Sequence, residues 1–176
     1  MEPTQLDPQT DPHSDLQDDP QVQAQVNAAV ERLEWEKQIQ SGAGWFFWIA
    51  GLSVLNSATR LLGGGWRFFL GLGIAQLVDE LALAASEGAA AIRVIAFVVN
   101  LIAAGFFVLM GVVARKGYPW AFVVGMALYA LDGLVFLWAG DWWSIAFHLF
   151  ALWGLFRGVQ AIRKLRQRSA PGAEAG

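Results

Sequence analysis

Between Trp45 and Ile162 the chain carries five apolar segments in succession: Trp45 to Leu62, Trp66 to Ala85, Val94 to Ala114, Trp120 to Ala139 and Trp142 to Ile162. Some of the connections are as short as "GGG", "RKGYP" and "GD". A hydrocarbon core of about 30 Å takes roughly 20 helical residues at about 1.5 Å each, and these segments meet that length or nearly so. In lipid every backbone N–H and C=O must be bonded within its own segment, which leaves helices. Connections this short make neighbours antiparallel. The expected fold is therefore an all-α integral membrane protein, an antiparallel bundle of about five transmembrane helices within residues 45–162.

Composition agrees. The chain is 56% hydrophobic and 15% charged, against about 25% charged in soluble domains. Trp45, Trp48, Trp66, Trp120, Trp138, Trp142 and Trp143 fall at or near segment ends, where indole rings anchor at headgroup level. There is no cysteine, hence no disulfide framework, thiolate metal site or cysteine nucleophile.

The flanks differ from this middle. Residues 1–20, with four prolines and six acids, are expected to form a disordered acidic tail. They lack the basic start and apolar stretch of a cleavable signal, so the first membrane helix is expected to direct targeting. From Gln21, the residues Val22, Val26, Ala29, Val30 and Leu33 share one helical face, which predicts an amphipathic juxtamembrane helix over 21–41. Such a helix serves as a partner-binding surface or as a spacer. Residues 163–176 read as a basic, then flexible, tail.

With five spans, one side of the membrane receives Arg60, Arg67, Arg115, Lys116, Arg157, Arg163, Lys164, Arg166 and Arg168, and the other receives Arg32, Lys37 and Arg93. That bias puts the C-terminus in the cytoplasm and the N-terminus outside. A re-entrant first segment would bring both termini to the cytoplasm. Arg115, Lys116, Arg163, Lys164, Arg166 and Arg168 act in this scheme as topology determinants among the lipid headgroups.

Within the apolar run, ionisable residues carry the information. Asp79 lies thirteen residues beyond Trp66 and Asp132 twelve beyond Trp120. If each segment is one helix, both sit about 18 to 20 Å from the cytoplasmic interface. His148, six residues past Trp142, falls about 9 Å from the outer interface, the depth of Asp132 counted back from Trp138. The helices of Asp132 and His148 are joined by "GD", so the two are expected to touch. An ionisable side chain at such depth costs on the order of 2.5 to 3.5 kcal/mol, so it turns inward and finds a partner. The expected site is a cluster of Asp79, Asp132 and His148 supported by Asn56, Gln76 and Asn100. It either binds a proton or cation or ties helices together, at about 0.6 kcal/mol per contact.

Two stretches, "WRFFLGLGIAQLVD" from Trp66 and "WAFVVGMALYALD" from Trp120, resemble each other, each following a helix that bears an asparagine. They suggest a parallel two-helix repeat, Trp45 to Ala85 matching Val94 to Ala139. Ser53 in "GLSV" departs from the Gly-x-Ser-Gly context of rhomboid-type intramembrane proteases, and no HExxH is present. Loops this short leave little room for a catalytic domain. The functional expectation is a noncatalytic accessory, assembly or scaffold protein of the bacterial plasma (inner) membrane, with no cofactor. A small proton- or cation-coupled transporter or channel is the alternative. The expected partners are the lipid bilayer and either another membrane protein or a second copy of the chain, and nothing points to nucleic acid.

Overall fold

A computed structural model describes residues 19–62, 72–86 and 90–169. It contains five helices: α1 (Pro20–Leu61), α2 (Gly73–Ser86), α3 (Ala90–Arg115), α4 (Pro119–Ala139) and α5 (Trp142–Arg168). Most of the expected acidic tail, the stretch around Trp66 and the last residues of the C-terminal tail lie outside the described residues. Helices α3, α4 and α5 are each long and apolar enough to cross a membrane.

No break separates the expected amphipathic helix from the first apolar segment: α1 runs unbroken through "SGAG" for 42 residues. Glycine inside a helix costs about 1 kcal/mol relative to alanine. Here tertiary packing offsets that cost. A Cβ on Gly42 would lie 2.8 Å from Gly158 Cα in α5, and one on Gly154 would run into the Trp45 indole. The missing side chains let α1 and α5 touch backbone to backbone. At its start, the side chain of Asp19 accepts from the Gln21 N–H at 2.8 Å and Pro20 occupies the first helical position.

Side-chain pairs give the helix directions. Glu31 of α1 meets Arg168 at 2.8 Å, and Gln40 donates to the Arg115 carbonyl at 3.1 Å. Further along α1, Phe46 packs on Phe107, with ring centroids 6.2 Å apart, and Ser57 meets Asn100. Rising numbers in α1 thus meet falling numbers in α3 and α5. Helices α4 and α5 are likewise antiparallel, with Phe122 against Gly158 and Asp132 against His148. The start of α1, the end of α3, the start of α4 and the end of α5 therefore share one end of the bundle, the basic end. Gly117 (φ 81) and Gly140 (φ 70) supply the left-handed turns between α3 and α4 and between α4 and α5.

Helix α2 breaks the expected pattern. A continuous helix from Trp66 is ruled out, because Leu72 is not helical and α2 opens at Gly73. That opening is held by Asp132, seven residues before α4 ends at Ala139 and so about 10 Å inside the bundle. Three residues separate the far end of α2, Ser86, from the start of α3. The helix therefore runs from the interior to the end opposite the basic one. Its 14 residues cover about 21 Å and do not traverse the bundle.

Two expectations change with it. The chain enters and leaves at the same end, so Arg32 and Lys37 join Arg115, Lys116, Arg157, Arg163, Lys164, Arg166 and Arg168 at the basic end, leaving Arg60 and Arg93 opposite. The parallel repeat also fails, since α1 and α3, its two first helices, run in opposite directions.

The core between these helices is aromatic and small. Phe46, Phe122 and Tyr129 are fully buried, with Ala43, Ala114, Ala121 and Ala151 filling the close approaches. Much apolar surface faces outward: only 33% of the most apolar stretch of α3 and of α4 is covered by protein. Such thin cover on an apolar helix fits the length and apolarity that suffice to cross a membrane.

Candidate functional site

The expected site residues separate into two clusters on either side of α2. In the first, Asp132 of α4 caps α2. Its Oδ2 accepts the Gly73 N–H at 2.7 Å and its Oδ1 the Ile74 N–H at 2.8 Å. The first amides of a helix have no partner inside the helix, and the helix dipole favours negative charge there. Buried inside the bundle, they need a protein acceptor. A Cβ on Gly73 would lie 2.7 Å from the Phe136 ring, so glycine permits α2 to start this close to α4. The neighbouring Leu72 N–H donates to Ser53 Oγ at 2.8 Å, while that hydroxyl donates to the Ile49 carbonyl. Ser53 is thereby committed to α2, and His148 is bonded elsewhere.

The expected contact of Asp132 with His148 is present, Nε2 to Oδ2 at 3.0 Å, between side chains that are almost wholly buried. His148 Nδ1 stands 2.8 Å from the Ser144 carbonyl. A carbonyl only accepts, so Nδ1 is the donor in that contact, and Nε2 faces the Asp132 carboxylate. Tyr129 stacks on the imidazole with centroids 4.3 Å apart and planes 12° from parallel, and Phe136 closes a second side. Ser144 is itself fixed by Asp141, whose carboxylate accepts from its hydroxyl at 2.7 Å and caps α5.

The second cluster ties α1, α2 and α3. Asp79 Oδ2 accepts from Ser57 Oγ at 2.9 Å and Oδ1 from Asn100 Nδ2 at 2.8 Å. The same Asn100 amide faces Ser57 Oγ at 2.9 Å and the Ala75 carbonyl at 3.2 Å. Asp79 lies six residues into α2, about 9 Å along the helix from the amides that Asp132 caps. A depth counted from Trp66 along one helix does not apply to it.

The single cluster expected from the sequence is therefore corrected: Asp79 with Asn100 forms one site, Asp132 with His148 the other. The second half of α2's first turn separates them, with Gln76 half-buried between. Asn56 is buried beside these groups, and its side-chain oxygen has no partner among the described residues. Sequence reasoning missed Ser53, Ser57, Ser144, Tyr129 and the amides of Gly73 and Ile74. Three of these are serines, common in any membrane helix, and an amide exposed by a helix start leaves no mark in composition. Glycines at 71 and 73 are the one sequence signal for a helix opening there.

Both carboxylates are nearly sealed, with Asp79 6% and Asp132 7% exposed. Among the described residues no group of three His, Cys, Asp or Glu side chains is placed to hold a metal ion. Of the basic residues, Arg115 lies over the Phe47 ring at 4.3 Å and Arg168 over Trp35 at 5.3 Å. Lys116, Arg163, Lys164 and Arg166 are exposed. No protein-family model, curated protein or solved structure matches this chain.

Proposed function

We propose that this chain is a small multi-pass protein of the bacterial plasma (inner) membrane that works without catalysis, as an accessory, assembly or scaffold component. One observation carries this: the buried carboxylates of Asp79 and Asp132 are consumed in closed hydrogen bonds to helix amides and neighbouring side chains. A transport site needs water at its ionisable groups, whereas groups that lock helices together are sealed. In this scheme α1, α3, α4 and α5 cross the bilayer and α2 enters only part way. Helix α1 qualifies because its part beyond Gln40 lies along α3 for about 31 Å, the thickness of a hydrocarbon core. Non-helical backbone at membrane depth is tolerated where protein buries it, as Asp132 and Ser53 do here. The basic end faces the cytoplasm with both termini. The partners are another membrane protein or a second copy of the chain.

The alternative, a proton- or cation-coupled transporter or channel, draws on the buried contact of Asp132 with His148. Purified protein in liposomes loaded with a pH-sensitive dye separates the two under imposed proton or sodium gradients. A scaffold gives no flux, and Asp79→Asn and Asp132→Asn only lower thermal stability. Flux in the wild type that vanishes in folded Asp79→Asn or Asp132→Asn protein would overturn it.

A further inference from the structure

Along the outside of α1 and α5 lie two cavities, of about 660 and 570 Å³, which adjoin at Ser41 and Trp45 and together make a groove with the Trp45 indole at its waist. Its two ends differ in chemistry. One arm is walled by Trp48, Leu52 and Phe147, and is apolar. The other reaches Lys37 and Arg157 near the basic end, with Glu34 on its rim, so that end carries one net positive charge.

The two cations have no acid of their own. Arg32 is paired with Glu36 and Arg168 with Glu31, but Lys37 and Arg157 meet no carboxylate among the described residues. The Arg157 guanidinium instead lies 5.0 Å from the centre of the Trp153 ring, which holds it at the groove. From Arg157 to Phe147 is ten residues of α5, about 15 Å. That is half of a hydrocarbon core, the depth of one leaflet.

We propose that this groove seats one anionic membrane phospholipid, its phosphate between Lys37 and Arg157 and an acyl chain running past Trp45 toward Leu52 and Phe147. A free anion would leave the apolar arm unused, and a neutral lipid would leave both cations unanswered. The inference rests on the membrane placement proposed above, with the basic end in the anionic cytoplasmic leaflet.

Native mass spectrometry of the detergent-purified chain, titrated with phosphatidylglycerol and with phosphatidylcholine of the same acyl chains, tests it. The wild type is expected to retain phosphatidylglycerol about tenfold better. Equal retention of the two lipids overturns the proposal and needs no variant. The double substitution Lys37→Gln with Arg157→Gln is expected to abolish the preference, while Arg163→Gln with Lys164→Gln, outside the groove, preserves it. Equal losses in the two doubles would mean diffuse attraction and no site. Leu52→Trp, which fills the apolar arm, is expected to weaken retention with both cations intact, and unchanged retention refutes the seated chain. Alkaline carbonate washing of the source membranes tests the placement separately. Protein that stays in the pellet upholds it whatever the lipid result, and protein that washes out removes both.

Discussion

The two halves of the bundle solve different packing problems. Toward the basic end, whole helices lie against one another, and contact depends on side chains that are absent: Gly42, Gly154 and Gly158 let α1 and α5 close, and Gly125 receives the Phe46 ring. Toward the opposite end α2 begins inside the protein, and contact depends on oxygen atoms placed against N–H groups: Asp132 on Gly73 and Ile74, Ser53 on Leu72. The first half is specified by shape and the second by hydrogen bonding. A helix that spans satisfies its own backbone, whereas one that starts midway must borrow acceptors from its neighbours. Asp132 and Ser53 are where α2 borrows them.

This contrast orders the expected effects of substitution. The largest is Asp132→Ala, which uncaps two buried amides and strips His148 of its partner. Breaking a buried pair costs about 3 to 5 kcal/mol, read as a loss of thermal stability in detergent. Asp132→Asn, which keeps one accepting oxygen, is expected to cost less, and equal losses would deny the capping role. Next comes Gly158→Ala, whose new methyl would stand 2.7 Å from the Phe122 ring edge and 3.3 Å from Gly42 Cα. Overpacking of this kind costs about 1 to 3 kcal/mol. A neutral result would show that the α1–α5 contact is looser than its geometry.

Smaller still is Ser57→Ala, which removes one of the bonds to Asp79 but leaves Asn100 in place. Interhelical polar contacts in membranes average about 0.6 kcal/mol, so a small drop is expected, and a collapse would make the Asp79 cluster the stronger anchor. Last, Gly105→Ala faces open space in the middle of α3 and is expected to leave stability unchanged or to raise it by up to about 1 kcal/mol. A marked loss there would reveal a neighbour close to that face, such as a second copy of the chain.

How far the sequence anticipates this molecule follows the same division. Long apolar runs and end tryptophans are enough to foresee helices α3, α4 and α5. Adjacent helices and matched depth are enough to foresee that Asp132 meets His148. Both inferences need only helical rise and a short turn. What the sequence hides is the start of α2. The run after Trp66 is as apolar as the one after Trp120, and the acceptor that ends the resemblance, Asp132, lies 59 residues away from Gly73. The continuity of α1 through "SGAG" is hidden for a similar reason, since Gly42 weakens a helix in isolation but is covered by Gly158 and Gly154, more than a hundred residues on. From the expected full-length α2 follows the expectation that the chain enters and leaves at opposite ends, whereas the start of α1 and the end of α5 lie at one end of the bundle. The basic residues themselves, counted again on the observed helices, still gather at one end.

The central claim is that α2 begins inside the bundle, which in the proposed membrane placement puts both termini on one side. The chain has no cysteine, which permits single-cysteine variants Asn27→Cys, Gln167→Cys and Ala139→Cys to be probed in intact cells with a membrane-impermeant maleimide. Labelling of Ala139→Cys from outside is expected, with Asn27→Cys and Gln167→Cys labelled only after permeabilisation. Labelling of Asn27→Cys in intact cells, with Gln167→Cys still protected, would mean that the chain crosses an odd number of times and would contradict the half-helix.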